Sequence, residues 1–208
     1  AIIGRLVGSE MCIRDSITGD SVKAGDQQDA KAVHELEAVR LLKQIQAFNE
    51  GIDPTFGKLS DNKTSIFPGA AADPSCRNQK SLKNRMKKKK DAGARFIQTQ
   101  MVMEKEKLIE FCETISNPLE IPVIAGVFLL KSYKNALFIN KYVPGAHIPE
   151  NILNRLKDAK DPLQEGVQIA AEQAQDFIHI ANGIHLMAVK AEHLIPEILQ
   201  KADLNLEY

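Results

Sequence analysis

The stretch KKKKDAGARFIQTQ, Lys87 to Gln100, decides how the rest of the chain is read. A cationic helix runs into it, and Gly93 stands where that helix needs a left-handed residue to stop. The apolar run from Ala94 to Met101 then shows no alternation, as expected of a parallel strand buried on both faces. The same unit recurs to either side. Apolar runs at Ser65–Ala71, Ile121–Leu130 and Ile184–Val189 are separated by helices with one apolar face: Ala38, Leu41, Ile45 and Phe48; Leu108, Phe111, Cys112 and Ile115; Val167, Ala170, Ala174 and Phe177; Ile195, Ile198, Leu199 and Ala202. Gly183 is read as a second left-handed cap, and Pro149 and Pro162 as openings of extra helices before the last strand.

Repeated strand–helix units admit a doubly wound sheet or an eight-fold barrel. No GxGxxG follows any of these runs. The strand ends instead carry polar groups, Asp20, Asp73, Gln98 and Gln100, as a barrel with its chemistry at the carboxyl rim would. The expectation is a partial (β/α)8 TIM barrel with parallel strands near 17–20, 64–71, 94–101, 122–129 and 184–189, and helices outside.

Composition narrows the function. Lys+Arg and Asp+Glu are 27 each in 208 residues, so no overall charge points to nucleic acid. The longest apolar run is interrupted by Pro122 and Gly126, which argues against a membrane span. Cys12, Cys76 and Cys112 are far apart, with no CxxC pattern, which fits a reduced, cytoplasmic protein without a structural zinc or an intrachain iron–sulfur site.

Taken in order, Thr18-Gly19-Asp20, Val33-His34-Glu35-Leu36, Gly69-Ala70-Ala71-Ala72-Asp73-Pro74, KKKKDAGARFIQTQ and GIHLMAV resemble the methylenetetrahydrofolate reductase family. The resemblance runs from about Ile17 to the C-terminus. It implies a flavin-containing barrel, with FAD ahead of FMN, that reduces 5,10-methylenetetrahydrofolate to 5-methyltetrahydrofolate. Electrons would come from NADH or NADPH, or through an iron–sulfur partner subunit, and a homo-oligomer is compatible with it.

The same resemblance assigns roles. Asp20 is the expected catalytic carboxylate, stabilising the cationic iminium form of the folate, with Gly19 beside it at the flavin; the plain alternative is a turn aspartate. Lys89, two places before DAGA, is expected at the flavin pyrophosphate, with Arg85 one turn earlier sharing it. His34 takes a position near the flavin that is often aromatic in relatives, and Asp73 replaces an Asn or His. Gln100 is expected to present its amide to the pterin or nicotinamide, and Asn135 to bind folate. Gln98 reads as a supporting residue, His185 as a satisfied interior histidine and Met187 as core. The family's catalytic glutamate has no counterpart in the chain.

Arg14, Asp15 and Ser16 fit poorly in an apolar strand ahead of Thr18, and LVGSEMCIRDS (6–16) resembles a translated sequencing adapter. Residues 1–16 are therefore read as a foreign leader with few specific contacts to the core, the alternative being an edge strand. Residues 17–208 are read as the C-terminal part of one barrel, short of the about 250 residues such a domain usually has and inactive alone. The competing functions are a pterin-binding methyltransferase barrel, which would not need Lys89 or the Val33–Leu36 segment, and a non-catalytic barrel fragment.

Overall fold

The computed structural model describes residues 12–16, 37–53, 57–58, 63–143 and 145–204, the first of these segments by its backbone alone. Five parallel strands form one sheet: β1 (Cys12–Ser16), β4 (Ile66–Ala72), β5 (Phe96–Met101), β6 (Val123–Phe128) and β7 (Gly183–Met187), in that spatial order. The order never reverses. With the right-handed crossovers usual for parallel strands, neighbours taken in chain order put a helix of each connection on the same face, which makes the sheet an arc of a barrel, whereas a doubly wound sheet reverses direction once. A short antiparallel pair, β2 (Ile52–Asp53) and β3 (Gly57–Lys58), precedes β4.

The first strand departs from expectation. Cys12–Ser16 pairs with Ile66–Ala70 of β4, so part of the segment read as a foreign leader is hydrogen-bonded to the sheet, and 17–20 lies outside the described residues. The charges of Arg14 and Asp15 are costly in a strand enclosed on both sides. Among the described residues β1 is outermost, and an edge position tolerates charge while pairing through its backbone.

Helices α1 (Ala38–Asn49), α2 (Gln79–Asp91), α3 (Lys105–Phe111), α6 (Pro162–Phe177) and α7 (Ile195–Lys201) cover the outer face. Their inward residues, among them Leu42, Leu82, Met86, Phe111, Val167 and Phe177, pack on Ala70, Ile97, Val123, Ala125 and Val127. In α1 it is Leu42 that turns inward, with Leu41 half-buried. The other sheet face carries Phe67 and Phe96, whose rings stack at 5.8 Å, and Gln98 and His185. Gly69 makes room there, since a Cβ at that position would sit 2.1 Å from the Phe96 ring.

Local chemistry sets the boundaries. Asn78 Oδ1 accepts the Ser81 N–H to open α2, which ends before Gly93 at φ +108°. Asp161 caps α6 by accepting from Leu163 and Gln164, with Pro162 in its first turn. Gly183, expected as a cap, is the first residue of β7 and has no positive φ. That joint is made by Asn182, whose Oδ1 accepts the Val123 N–H while its own N–H reaches the Val123 carbonyl.

Between β6 and α6 the chain inserts α4 (Tyr133–Tyr142) and α5 (Glu150–Asp158). These pack Ala136, Ile139, Ile152, Leu153 and Leu156 on Met101, Met103 and Leu130, a second core beyond the carboxyl ends of β5 and β6. Among the described residues no helix is long and apolar enough to cross a membrane.

Candidate functional site

At the exit of β4 the chain turns through Asp73-Pro74-Ser75-Cys76 into α2. Asp73 Oδ1 accepts the Ser75 N–H at 2.9 Å, so the turn fixes its carboxylate. Burial pushes that carboxyl above its usual range, while the Ser75 hydrogen bond and the nearby Arg85 guanidinium pull the other way. The loop between α4 and α5 closes over it at Gly145, φ +80°, where a Cβ would stand 2.7 Å from Asp73 Oδ2. A cleft of about 670 Å³ lies between these segments, lined by Asp73, Ser75, Cys76, Glu104, Gly145 and His147.

Two cations of α2 turn back toward the same strand end. Lys89 Nζ donates to the Ala71 carbonyl at 2.6 Å, and Arg85 Nη2 lies 3.3 Å from Cys76 Sγ. Four residues apart, they share a helix face. The lysine run thus divides: Lys87 pairs with Asp91 at the surface, Lys88 is exposed, and Lys90 donates to the Leu119 carbonyl. Two cations converging beside a strand end suit a pyrophosphate, so the donor set fits the flavin expected there. Asp73, beside Arg85, adds a negative charge to that corner.

Gln100 is half-buried near the carboxyl end of β5, its Oε1 accepting the Met101 N–H at 3.0 Å. Gln98 lies 3.0 Å from His185 Nδ1, which gives it the supporting place expected and satisfies the histidine. Asn135 stands in the first turn of α4, its Oδ1 accepting from Lys131 and its N–H donating to Ser132 Oγ, so one end of its amide is spent on the turn. Gly19, Asp20 and His34 lie outside the described residues. The structure thus gathers Asp73, Arg85 and Lys89 at one exit, with Gln100 on the next strand and Asn135 at the exit of β6. Among the described residues no three His, Cys, Asp or Glu side chains cluster as a metal site.

Of the cleft's lining only Asp73 was a candidate from sequence; Ser75 and Cys76 simply follow it in the turn, and the others gave no signal of their own. The 145–147 segment follows an ordinary helix, and only the Pro149 start of α5 hinted at a turn there. Glu104 precedes α3 with no pattern to single it out.

The parallel arc, its polar side chains at the strands' carboxyl ends and the cleft beside them define a partial barrel with its candidate site at the carboxyl rim. The sequence matches the methylenetetrahydrofolate reductase family over residues 11–203, and the chain belongs to that family. A solved structure described as an uncharacterized protein from Clostridium thermocellum that binds two copies of 5-methyl-5,6,7,8-tetrahydrofolic acid is similar to it, with 20% identity and a TM-score of 0.50. The likeness covers 67% of this chain and 54% of that one, so the chain spans about half that protein's length, and at this identity it speaks for the fold.

Proposed function

We propose that the chain belongs to a flavin-dependent reductase that converts 5,10-methylenetetrahydrofolate to 5-methyltetrahydrofolate. The observation that carries this is the convergence of Lys89 and Arg85 on the β4 exit, in a chain matched to the family over 11–203. A pterin-binding methyltransferase would have no use for that pair. The folate bound by the Clostridium thermocellum protein of similar fold supports the substrate class.

FAD, when bound, would be reduced by a hydride from NADH or NADPH, or by two single electrons from an iron–sulfur partner subunit with a proton from solvent, and would supply hydride to the folate. The chain's own residues hold and orient. Lys89 and Arg85 take the pyrophosphate, and the Gln100 N–H groups orient the ring of the folate. The family resemblance gives Asp20 the role of stabilising the positive charge that the folate must carry before it accepts hydride.

The test is the purified protein that contains this chain. Flavin absorption bands, bleached by NADH and restored by methylenetetrahydrofolate, are expected. Asp20→Asn should slow the folate half-reaction about 10²-fold and affect flavin reduction less, because no cation forms in that step. A colourless protein that binds 5-methyltetrahydrofolate would favour the methyltransferase reading. Equal losses in both half-reactions would return Asp20 to a turn residue.

A further inference from the structure

The β5–β6 ladder runs Ile97↔Val123, Gln98↔Ile124, then Met101↔Gly126: three steps on β5 are matched by two on β6. An extra residue in one strand leaves ladder groups without their usual partners and re-aims the side chains beside it. Here side chains take up the loosened groups. The Gly126 N–H donates to Thr99 Oγ1 at 2.9 Å, and the same hydroxyl donates to the Gln100 carbonyl at 2.8 Å. The Met101 N–H donates to Gln100 Oε1. Thr99 is only 4% exposed, so both bonds of its hydroxyl are made out of water.

This arrangement fixes which end of the Gln100 amide is offered. A backbone N–H can only donate, so Oε1 faces Met101 and Nε2 faces away, with no partner among the described residues. Gly126 is part of the same device. A Cβ there would lie 2.9 Å from both the Thr99 and the Gln100 carbonyl oxygens, so the bulge needs a glycine opposite it.

We propose that Thr99 is a positioning residue, which with Gly126 locks the β5 bulge so that Gln100 presents two N–H donors to a hydrogen-bond acceptor on the bound ring. This rests on the reading of Gln100 as a ligand-binding residue. A bulge that served only the barrel's curvature would leave ligand affinity indifferent to the hydroxyl.

The experiment uses the full chain with Thr99→Val, which keeps the shape, and Thr99→Ser, which keeps the hydroxyl. Thr99→Ala is the second variant should Thr99→Val fail to fold. Binding of 5-methyltetrahydrofolate and hydrogen exchange at the Met101 and Gly126 amides are measured together. Thr99→Val should weaken binding about tenfold and speed exchange at both amides, as loss of one or two buried hydrogen bonds implies, while Thr99→Ser restores both. Unchanged exchange in Thr99→Val would overturn the lock. Faster exchange with unchanged affinity would overturn its role in binding. A wild-type chain that binds no folate counts against the proposed function, and the exchange result then decides the lock by itself.

Discussion

Gln98 and His185 meet at 3.0 Å, Nε2 to Nδ1, although their strands are not neighbours and β6 runs between them. Strands two apart are separated by roughly 10 Å, so both side chains must reach across. The residue paired with His185 on β6 is Gly126, which puts no side chain in the way. Gln98→Leu keeps the bulk and removes the donor. It should cost about 1 kcal/mol in urea unfolding, and a double-mutant cycle with His185→Leu should show coupling of similar size. Additive effects would mean that the contact contributes nothing.

Asp73 predicts a pH dependence. Its folded pKa is raised from 3.8, chiefly by burial, so the folded state holds the proton more tightly than the unfolded one. The stability it contributes is therefore full below its unfolded value and lost as pH rises through the raised folded value. Asp73→Asn keeps an oxygen for the Ser75 N–H and cannot ionise. The variant should gain stability over the wild type as pH rises toward neutrality, and the two should converge in acid. Parallel curves of urea midpoint against pH would exclude this.

Gly166 on α6 passes so close to the exit of β6 that a Cβ there would fall 1.7 Å from the Leu130 carbonyl oxygen. That contact is backbone and cannot swing aside. Gly166→Ala should force α6 away from the sheet and cost about 3 kcal/mol, read as a lowered urea midpoint. A midpoint like that of the wild type would mean that the two segments lie farther apart.

Arg155 joins α5 to α6, its Nε 2.7 Å from Glu165 and its Nη1 2.7 Å from Glu172. The Arg155 and Glu172 side chains are 37% and 47% exposed, so water screens much of the attraction. A double-mutant cycle on this pair should give coupling below about 1 kcal/mol, falling further in high salt. Arg155 holds Glu172 below its usual carboxylate range, so this contribution is present at neutral pH and lost as pH falls through the depressed folded value. Coupling that grows with salt would contradict the assignment.

The sheet was legible in the sequence where burial on both faces leaves a continuous apolar run, as at Val123–Phe128, and at Phe96–Met101 from the apolar start Phe96-Ile97 after the Gly93 helix stop. Gly93 was legible because a helix stop needs its φ of +108°. Gly183 was not, because Asn182 does the joining by side-chain bonds between segments far apart in sequence. Between a leader and an edge strand the sequence left Cys12–Ser16 open, because whether a strand lies at an edge depends on neighbours that its own residues do not specify. At the site, residue types at strand ends named Asp73, Gln98 and Gln100. The bulge that aims Gln100 was hidden, since it arises from the register of β5 against β6 and from a threonine that looks like any other strand residue.

Gly126 also constrains how the family can vary. The space above it is shared by the Thr99 and Gln100 carbonyls and by Met187 Cε, at 2.9, 2.9 and 3.0 Å from where a Cβ would be. The two carbonyls are backbone and remain whatever side chains stand at 99 and 100, but the bulge that brings them together is tied by the Thr99 hydroxyl and the Gln100 amide, so substitutions at these positions should not add. Across homologous sequences, positions 99, 100, 126 and 187 should therefore change together or not at all, and a methyl group at 126 should be accepted only in lineages that have already given up the bulge.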